Sequence, residues 1–413
     1  MNQPTRFEAA AQYTDASGFI DVKKLIEAYP FEDHVRRADE YFRTIDDPWV
    51  HHFRKPYHEI HDTAATLSGF AAVLKLGKFK PGHVIVDFGC GAGWLSAALS
   101  MMRCKPIGLD ISEGGLDMAR RFVNEHPLLS TQDIRFEAIR KEKSVPLDDA
   151  SVDRVICFDS FHHVSDQAAY LNEFHRVLAP GGLAIFHEPG PRHSRTDQSQ
   201  LEMREFAVIE NDIFIEDIWA DAQKAGFVGI EMAVFNEIPL TVDLKGFNRG
   251  IKGLLAPWTY YKLGLQLMRQ MNDKRVFVLR KAGPLDGSSR FADQLGGRLE
   301  VVERSFEPEK RILTATLNLA NQGRGHWLPS GAGFGAVNLG LNASGPDGAK
   351  AYADAIHLPV ASEETTAGES RRVTVKAEIP WQLGPVFNVE IQLVSEHVAW
   401  FGEPVQILIS PEG

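Results

Sequence analysis

The segment from Val84 to Trp94 constrains the fold more than any other part of this 413-residue chain. Its first five residues, Val-Ile-Val-Asp-Phe, have the composition of a buried β-strand, and glycine follows at positions 89, 91 and 93 before an apolar helix start. Glycines let the backbone turn sharply and bring its N–H groups close to a ligand, and a helix N-terminus adds partial positive charge. The segment therefore predicts a strand, loop and helix that cradle a cofactor.

Two acidic residues restrict which cofactor the loop can hold. Asp87 lies two residues before the first glycine, where its negative charge disfavours a pyrophosphate and suits a cationic or hydroxyl-bearing ligand. Asp110 ends a second strand, at the position where doubly wound folds hold a ribose. The pattern Asp-x-Gly-x-Gly-x-Gly followed by Gly-Leu-Asp-Ile-Ser resembles class I S-adenosylmethionine (SAM)-dependent methyltransferases. The resemblance implies that Asp87 and the glycines border the methionine part of SAM and that Asp110 holds the ribose hydroxyls.

The order of strand and helix patterns predicts an α/β fold followed by a separate all-β module. We expect a seven-stranded doubly wound, Rossmann-like methyltransferase sheet with a helical N-terminal cap, and then a β-sandwich, because the pattern after about residue 290 has period two. The predicted boundaries are a cap or lid over 1–80, a methyltransferase domain over 81–283 with an insertion at 239–271, a linker over 284–296, and the sandwich over 297–413.

Further cofactor contacts are predicted from strand ends and from the resemblance. Such methyltransferases usually carry an acid just past the third strand, near the adenine amine, but this chain has Ile139-Arg-Lys-Glu-Lys143 there. Either Glu142 serves or backbone groups hold the adenine. The predicted cofactor-binding residues are Asp87, Gly89, Cys90, Gly91, Gly93, Asp110, Ile111, Glu142, Phe158, Asp159, Ser160 and His163.

The candidate catalytic residues lie just after the fourth and fifth strands. Transfer of a methyl group to an alcohol requires removal of its proton, and histidine has a pKa near neutrality. The predicted catalytic residues are His193, His162, Glu188 and His187, with His193 or His162 as the base and Glu188 orienting a ring. A purely structural role for any one of these histidines remains an alternative. No metal is assigned; a site formed by Asp159, Glu188 and histidines is the competing interpretation.

An aromatic and histidine-rich segment precedes the first strand. In class I methyltransferases a segment at this position often covers the cofactor and shapes the substrate pocket. We therefore predict pocket residues here, and the alternative is a solvated cap with packed aromatics. The candidates are Trp49, His51, His52, Tyr57 and His58.

Composition excludes some partners. A net charge of −11 argues against nucleic acid, because phosphate binding needs a basic surface. Three cysteines without paired spacing indicate buried thiols of a cytoplasmic protein. The first residues lack a signal-peptide pattern, and no apolar run approaches the roughly 18 residues of a membrane span. Peripheral membrane contact and homo-oligomerisation stay open.

The C-terminal module gives the only indication of an acceptor. Its segments around Asn321, Val337 and Val394 resemble sandwich domains attached to bacterial surface-polysaccharide enzymes and O-antigen exporters, which implies a carbohydrate-binding role. Trp327, Trp381 and Trp400 are candidates for stacking on sugars, or for the core. We predict O-methylation of a sugar of a surface polysaccharide or its precursor. The alternatives are a small-molecule methyltransferase of secondary metabolism with a dimerising sandwich, and a non-catalytic glycan-binding adaptor.

Overall fold

The structure, a computed structural model, describes residues 12–44, 54–57, 59–130, 132–234, 243–251, 257–348, 350–352 and 355–410. The chain divides into two compact units, Met1–Ala282 and Gly283–Gly413. Each unit has a hydrophobic core of its own.

The N-terminal unit is built on one seven-stranded sheet. Its strands are β1 (Val84–Phe88), β2 (Lys105–Asp110), β3 (Arg135–Ala138), β4 (Val152–Phe158), β5 (Leu178–Pro189), β6 (Gly229–Met232) and β7 (Lys274–Arg280). They lie in the order β3-β2-β1-β4-β5-β7-β6. The first five strands run parallel, and β7 runs antiparallel to β5 and β6. The predicted seven-stranded Rossmann-like sheet is confirmed.

Helices precede the sheet and connect its strands. They are α1 (Val22–Ala28), α2 (Phe31–Thr44), α3 (Ile60–Gly77), α4 (Trp94–Met101), α5 (Glu113–Glu125), α6 (Gln167–Val177), α7 (Asp197–Phe206), α8 (Ile215–Ala225), α9 (Leu244–Ile251) and α10 (Pro257–Asp273). Side chains cap several of them: Ser112 accepts the Gly115 N–H at α5, and Asp166 accepts the Ala169 N–H at α6. Among the described helices, none is both long and apolar enough to cross a membrane.

The strands of this sheet are apolar along their length because they are covered on both faces. Ile85, Val86 and Ile185 are completely buried, and the rings of Phe186 and Phe277 stack between neighbouring strands at 4.5 Å. Since β1, β2, β4 and β5 run parallel, their carboxyl ends meet at one edge of the sheet. That edge carries the polar residues described below.

The helices before β1 pack against the sheet and against α7. In α3, Gly69 lies against the ring of His187 on β5, and any side chain at position 69 would overlap that ring. Nearer the N-terminus, the Ile20 N–H donates to Gln200 of α7 at 2.8 Å, and Tyr41 of α2 contacts Phe206 edge-on. The sequence patterns predicted the helical cap but not α7.

The C-terminal unit consists of two antiparallel sheets that share a core. Its strands are β8 (Gly297–Glu307), β9 (Ile312–Asn321), β10 (Val337–Ser344), β11 (Ile356–Pro359), β12 (Ser370–Glu378), β13 (Phe387–Ser395) and β14 (Ala399–Ile409). One sheet has the order β11-β10-β13-β14 and the other β12-β9-β8. Leu317 of β9, Leu341 of β10 and Ile391 of β13 belong to one buried cluster, so the sheets pack face to face. The predicted all-β module is confirmed.

The segment 284–296, predicted as a linker, contains residues that pack into the C-terminal unit. Ser289 is 1% exposed; its hydroxyl donates to the Gly335 carbonyl at 2.6 Å, and its carbonyl accepts the Ser395 hydroxyl at 2.7 Å. These long-range hydrogen bonds attach the segment to the C-terminal unit. Glycine and serine suggested flexibility, but here the small side chains fit into a packed interior.

Candidate functional site

The glycine loop follows β1 with the predicted geometry. Gly89, Gly91 and Gly93 all have positive φ, at 70°, 50° and 80°. The Gly89 and Cys90 N–H groups donate to the Leu109 carbonyl at 2.7 and 3.0 Å, which fastens the loop to β2. A methyl group added at Gly89 would lie 2.5 Å from Ser160 Cβ, so no side chain fits there.

Two buried carboxylates lie beside this loop. Asp87 is 2% exposed and accepts the Ser96 hydroxyl at 2.7 Å, and burial raises its pKa to about 6. Asp110 ends β2 and accepts the backbone N–H groups of Gly91 and Ser112, each at 2.9 Å. Burial also raises the pKa of Asp110. The structure therefore brings both predicted acids to the loop.

Helix α2, which belongs to the predicted cap or lid over 1–80, contacts the glycine loop and the turn after β2. The Asp39 carboxylate accepts the Ser112 hydroxyl at 2.8 Å and the Gly114 N–H at 3.0 Å. The Phe42 ring lies 3.3 Å from the position that a side-chain carbon at Gly91 would take. The amphipathic pattern predicted this helix, but no local signal shows which surface its polar and aromatic residues contact.

The end of β4 contributes the next group of predicted residues. Asp159 has a φ of 51° and lies 2.7 Å from Lys274 Nζ. Although burial alone would raise its pKa, the Lys274 ammonium and His187 hold the pKa of Asp159 well below its ordinary value. The Ser160 hydroxyl donates to the Phe88 carbonyl at 2.6 Å, which joins this turn to the glycine loop.

Glu188, at the end of β5, anchors the turn after β4. It is fully buried and accepts the backbone N–H groups of Ser160 at 3.1 Å and Phe161 at 2.8 Å. Its second oxygen lies 2.7 Å from His162 Nδ1. Burial raises the pKa of Glu188 to about 7. The predicted orienting role of Glu188 toward His162 has the required geometry, while its catalytic role stays a prediction.

We call His162, His163, His193, Glu188 and Glu210 the His–Glu cluster. His193 Nε2 lies 2.7 Å from Glu210 Oε2, and His162 Nε2 lies 3.9 Å from the same oxygen. His163 Nδ1 lies 2.7 Å from the Ile209 carbonyl oxygen. Burial lowers the pKa of His162 well below its ordinary value. Sequence reasoning missed Glu210, because it lies in an irregular segment between α7 and α8 and belongs to no motif.

Other predicted residues lie apart from this cluster. His187 is buried beneath α3 and stacks on Phe158 at 4.2 Å, so its surroundings are those of a packed residue. Glu142 accepts the Ser165 hydroxyl at 2.9 Å, and Ile111 packs against the core. Tyr57 is exposed. The remaining pocket candidates, Trp49, His51, His52 and His58, lie outside the described residues.

Part of the N-terminal unit matches a known family of domains. Residues 86–186, from β1 to β5, match a family model described as a methyltransferase domain. The chain contains a class I SAM-dependent methyltransferase domain. Proteins of this class use SAM as the methyl donor, so the sequence-based cofactor prediction is confirmed.

Relatives similar to this domain include two O-methyltransferases. Over 133 residues the chain is 37% identical to a malonyl-[acyl-carrier protein] O-methyltransferase of Yersinia pestis, covering 31% of this chain and 45% of the relative. Over 132 residues it is 33% identical to a ubiquinone biosynthesis O-methyltransferase of Idiomarina loihiensis, covering 32% of this chain and 51% of the relative. The chain thus spans about half the length of the curated relatives it matches.

The residues of the methyltransferase domain fit SAM chemically. Asp110 is a buried carboxylate at the carboxyl end of β2, suited to a pair of hydroxyls. Glycine at positions 89, 91 and 93 leaves these three positions of the loop without a side chain that could obstruct a nucleoside. Asp87 places a second carboxylate beneath the loop, suited to the cationic end of the cofactor. The individual contacts of Asp87, Asp110 and the glycines with SAM stay predictions.

Asp87 gives a prediction for stability as a function of pH. Its pKa rises from 3.8 in the unfolded chain to about 6 in the fold, so the folded state favours the proton and stability falls as pH rises through this window. Asp87→Asn removes the free-energy cost of ionising this buried carboxylate. We expect the variant without SAM to be more stable by about 3 kcal/mol at pH 8, and by about half of that at pH 5.

The measurement for Asp87→Asn is urea unfolding at both pH values, with Asp117→Asn as the control. Asp117 is an exposed acid on α5, so its substitution should change stability little at either pH. An Asp87→Asn variant that is less stable than the wild type at pH 8 would contradict the prediction.

Proposed function

We propose that the protein transfers the methyl group of SAM to a hydroxyl oxygen, and that the acceptor is a sugar of a surface polysaccharide or its precursor. The observation that carries the proposal is the His–Glu cluster. It lies directly after the turn in which Ser160 contacts the glycine loop, and so next to the proposed cofactor site.

Oxygen is a more demanding acceptor than an amine, because an alcohol must lose its proton as the new bond forms. The cluster supplies groups that can accept this proton. His193 is partly exposed, with 24% of its side chain accessible, and Glu210 behind it is buried. Proton transfer to the cluster, attack of the oxygen on the methyl carbon and cleavage of the carbon–sulfur bond balance to a methyl ether, S-adenosylhomocysteine and a proton. The two relatives reported above are also O-methyltransferases.

The cofactor roles in this proposal follow the positions in the fold. Asp110 would accept hydrogen bonds from the ribose hydroxyls, and Asp87 and the glycine loop would border the methionine part. Ser160 and Asp159 would lie near the sulfonium, since they follow β4 directly. SAM supplies the electrophilic methyl group when bound, and the chain positions the acceptor oxygen in line with it.

The sugar acceptor is supported by the C-terminal unit. Of the three tryptophans considered for stacking, Trp327 is 2% exposed and therefore belongs to the core. Trp381 and Trp400 are exposed, at 68% and 45%. Exposed aromatic rings stack on the apolar faces of sugars, so Trp381 and Trp400 are the proposed glycan contacts.

A methyl-transfer assay tests this proposal. Protein and SAM labelled in the methyl group are incubated with polysaccharide, free sugars and small phenols, and label is followed into an alkali-stable methyl ether. We expect transfer to sugar hydroxyls and a fall in kcat of about 100-fold or more for His193→Asn. The control is His126→Asn, which replaces a half-buried histidine that lies outside the His–Glu cluster. Transfer only to an amine or a carbon acceptor would refute O-methylation.

Two variants of the C-terminal unit test whether the acceptor is a sugar. Trp400→Ala should raise KM for the polysaccharide by about tenfold and leave kcat unchanged, because it removes one stacking contact distant in sequence from the cluster. Leu408→Ala, another exposed apolar residue of β14, should change neither constant. Phenol methylation without any sugar methylation would favour the small-molecule alternative.

A further inference from the structure

Three members of the His–Glu cluster have the arrangement of a metal site. His162, His193 and Glu210 each offer one ligand atom, and these atoms lie within 4.8 Å of one another. In a tetrahedral site with bonds of about 2.1 Å, two ligand atoms are about 3.4 Å apart. The observed separations of 2.7 and 3.9 Å from Glu210 Oε2 bracket that value. All three ligand atoms lie within 4.8 Å of one another, so the side chains must move closer together for an ion to bind.

The orientation of His162 is that of a metal ligand. Its Nδ1 lies 2.7 Å from Glu188, which directs Nε2 toward Glu210 and His193. A carboxylate on the far nitrogen is the usual second partner of a histidine that binds a metal, because it fixes the tautomer and increases the basicity of the other nitrogen. Glu188 is completely buried and also accepts three backbone N–H groups, those of Ser160, Phe161 and His162, so this orientation is firmly set.

The segments that carry the three residues are joined to each other. The Asn211 N–H donates to the His162 carbonyl at 2.9 Å, and the Asn211 side chain donates to the Val164 carbonyl at 2.8 Å. The Ser194 N–H, next to His193, donates to Asp212 at 2.9 Å. Residues far apart in sequence are therefore held together by the backbone around them, so the site is preorganised.

Glu210 has an oxygen that the protein does not fully satisfy. The residue is 2% exposed, and its Oε1 accepts no hydrogen bond within the described part of the chain. His163 Nδ1 lies 3.3 Å from this oxygen, but it lies closer, at 2.7 Å, to the Ile209 carbonyl oxygen, which is its hydrogen-bond partner. A buried carboxylate with an unsatisfied oxygen is costly unless a cation is present.

We propose that His162, His193 and Glu210 bind a divalent transition-metal ion, with Zn²⁺ as the preferred ion. Two imidazoles and one carboxylate, without a thiolate, suit Zn²⁺ and exclude a soft-metal site. His193 is the most accessible of the three ligands, and a fourth position on that side remains for water or an acceptor oxygen. This site departs from the sequence-based expectation, which assigned no metal.

Metal binding does not depend on the proposed function, but the use of the ion does. If the protein methylates a hydroxyl, an ion here would bind the acceptor oxygen and lower the pKa of its proton, which would then pass to water. In that case His193 would act as a ligand of the ion and not as the base. That role rests on O-methylation. If O-methylation is refuted, the proposed metal-binding site is not affected.

The test is titration of the chelator-treated full chain, without an affinity tag, with ZnCl₂ in a calorimeter. Co²⁺ is added separately to follow its visible absorption bands. We expect one Zn²⁺ per chain and a tetrahedral Co²⁺ spectrum. Glu210→Gln should weaken binding by at least about 100-fold, and Glu188→Gln by about 10- to 100-fold.

A second histidine–glutamate pair provides the matched control. His357 Nδ1 lies 2.8 Å from Glu396 in the C-terminal unit, and His357→Ala should leave Zn²⁺ affinity unchanged. Circular dichroism verifies that each variant is folded. Absence of stoichiometric Zn²⁺ binding by the wild type, or equal binding by folded Glu210→Gln, would overturn the metal site. Tight binding by a protein without methyl transfer to hydroxyls would support the site and refute only the proposed function.

Discussion

Replacing Asp110 with alanine is expected to weaken SAM binding by about 100- to 1000-fold. The residue is 8% exposed at the end of β2, where its carboxylate would accept the two ribose hydroxyls. Each hydrogen bond to a charged group contributes about 1.5–3 kcal/mol, and two of them account for the expected change. Calorimetric titration with SAM and with S-adenosylhomocysteine measures the effect, which should be similar for both ligands.

Asp110 also accepts the Gly91 and Ser112 N–H groups, so the loop itself could shift in the alanine variant. Asp110→Asn keeps a side-chain acceptor for the backbone and removes the charge; it should lose most of the affinity while remaining folded. Asp117→Ala, an exposed acid on α5, is the control and should bind SAM normally. Unchanged affinity in both Asp110 variants would mean that the ribose does not bind at the end of β2.

The substitution Gly89→Ala is expected to lower the free energy of unfolding by about 2–4 kcal/mol. Position 89 has a φ of 70°, which costs an L-residue of order 1 kcal/mol or more, and the new methyl group would lie 2.5 Å from Ser160 Cβ. The strain falls where the glycine loop meets the turn after β4, so SAM binding should be lost as well. Urea unfolding and SAM titration measure the two effects.

A glycine in a permissive position provides the comparison. Gly264 lies within α10 with no atom within 4 Å of an added methyl group, and alanine favours helix by about 0.5–1 kcal/mol. Gly264→Ala should therefore be as stable as the wild type or more so. Comparable destabilisation by both substitutions would show that the loop geometry at Gly89 is not the cause.

Short sequence patterns predicted the strands and the loop whose structure is determined by neighbouring residues. The apolar run before Gly89, the three glycines and the acid at Asp110 are local signals. As predicted, these residues lie in β1, in the loop after β1 and at the end of β2. Period-two alternation likewise predicted most strands of the C-terminal unit. It did not reveal β11, which has only four residues, too few for a pattern to stand out.

The parts of the candidate site that the sequence did not predict depend on contacts between segments far apart in the chain. Glu210 meets His193 and His162 only because the segment after α7 folds back over the end of β4, and nothing around residue 210 signals that path. The contact of Phe42 with the glycine loop has the same origin. The histidines were predicted from the sequence. The carboxylate that they share, Glu210, is evident only in the structure.

The measurement that tests the central claim most directly is a crystal structure of the protein with S-adenosylhomocysteine. The ribose hydroxyls should lie within hydrogen-bond distance of Asp110, the nucleoside against the glycine loop, and the sulfur on the side of Ser160 that faces the His–Glu cluster. A nucleoside bound elsewhere, or a sulfur directed away from that cluster, would contradict the assignment of both the cofactor site and the acceptor side.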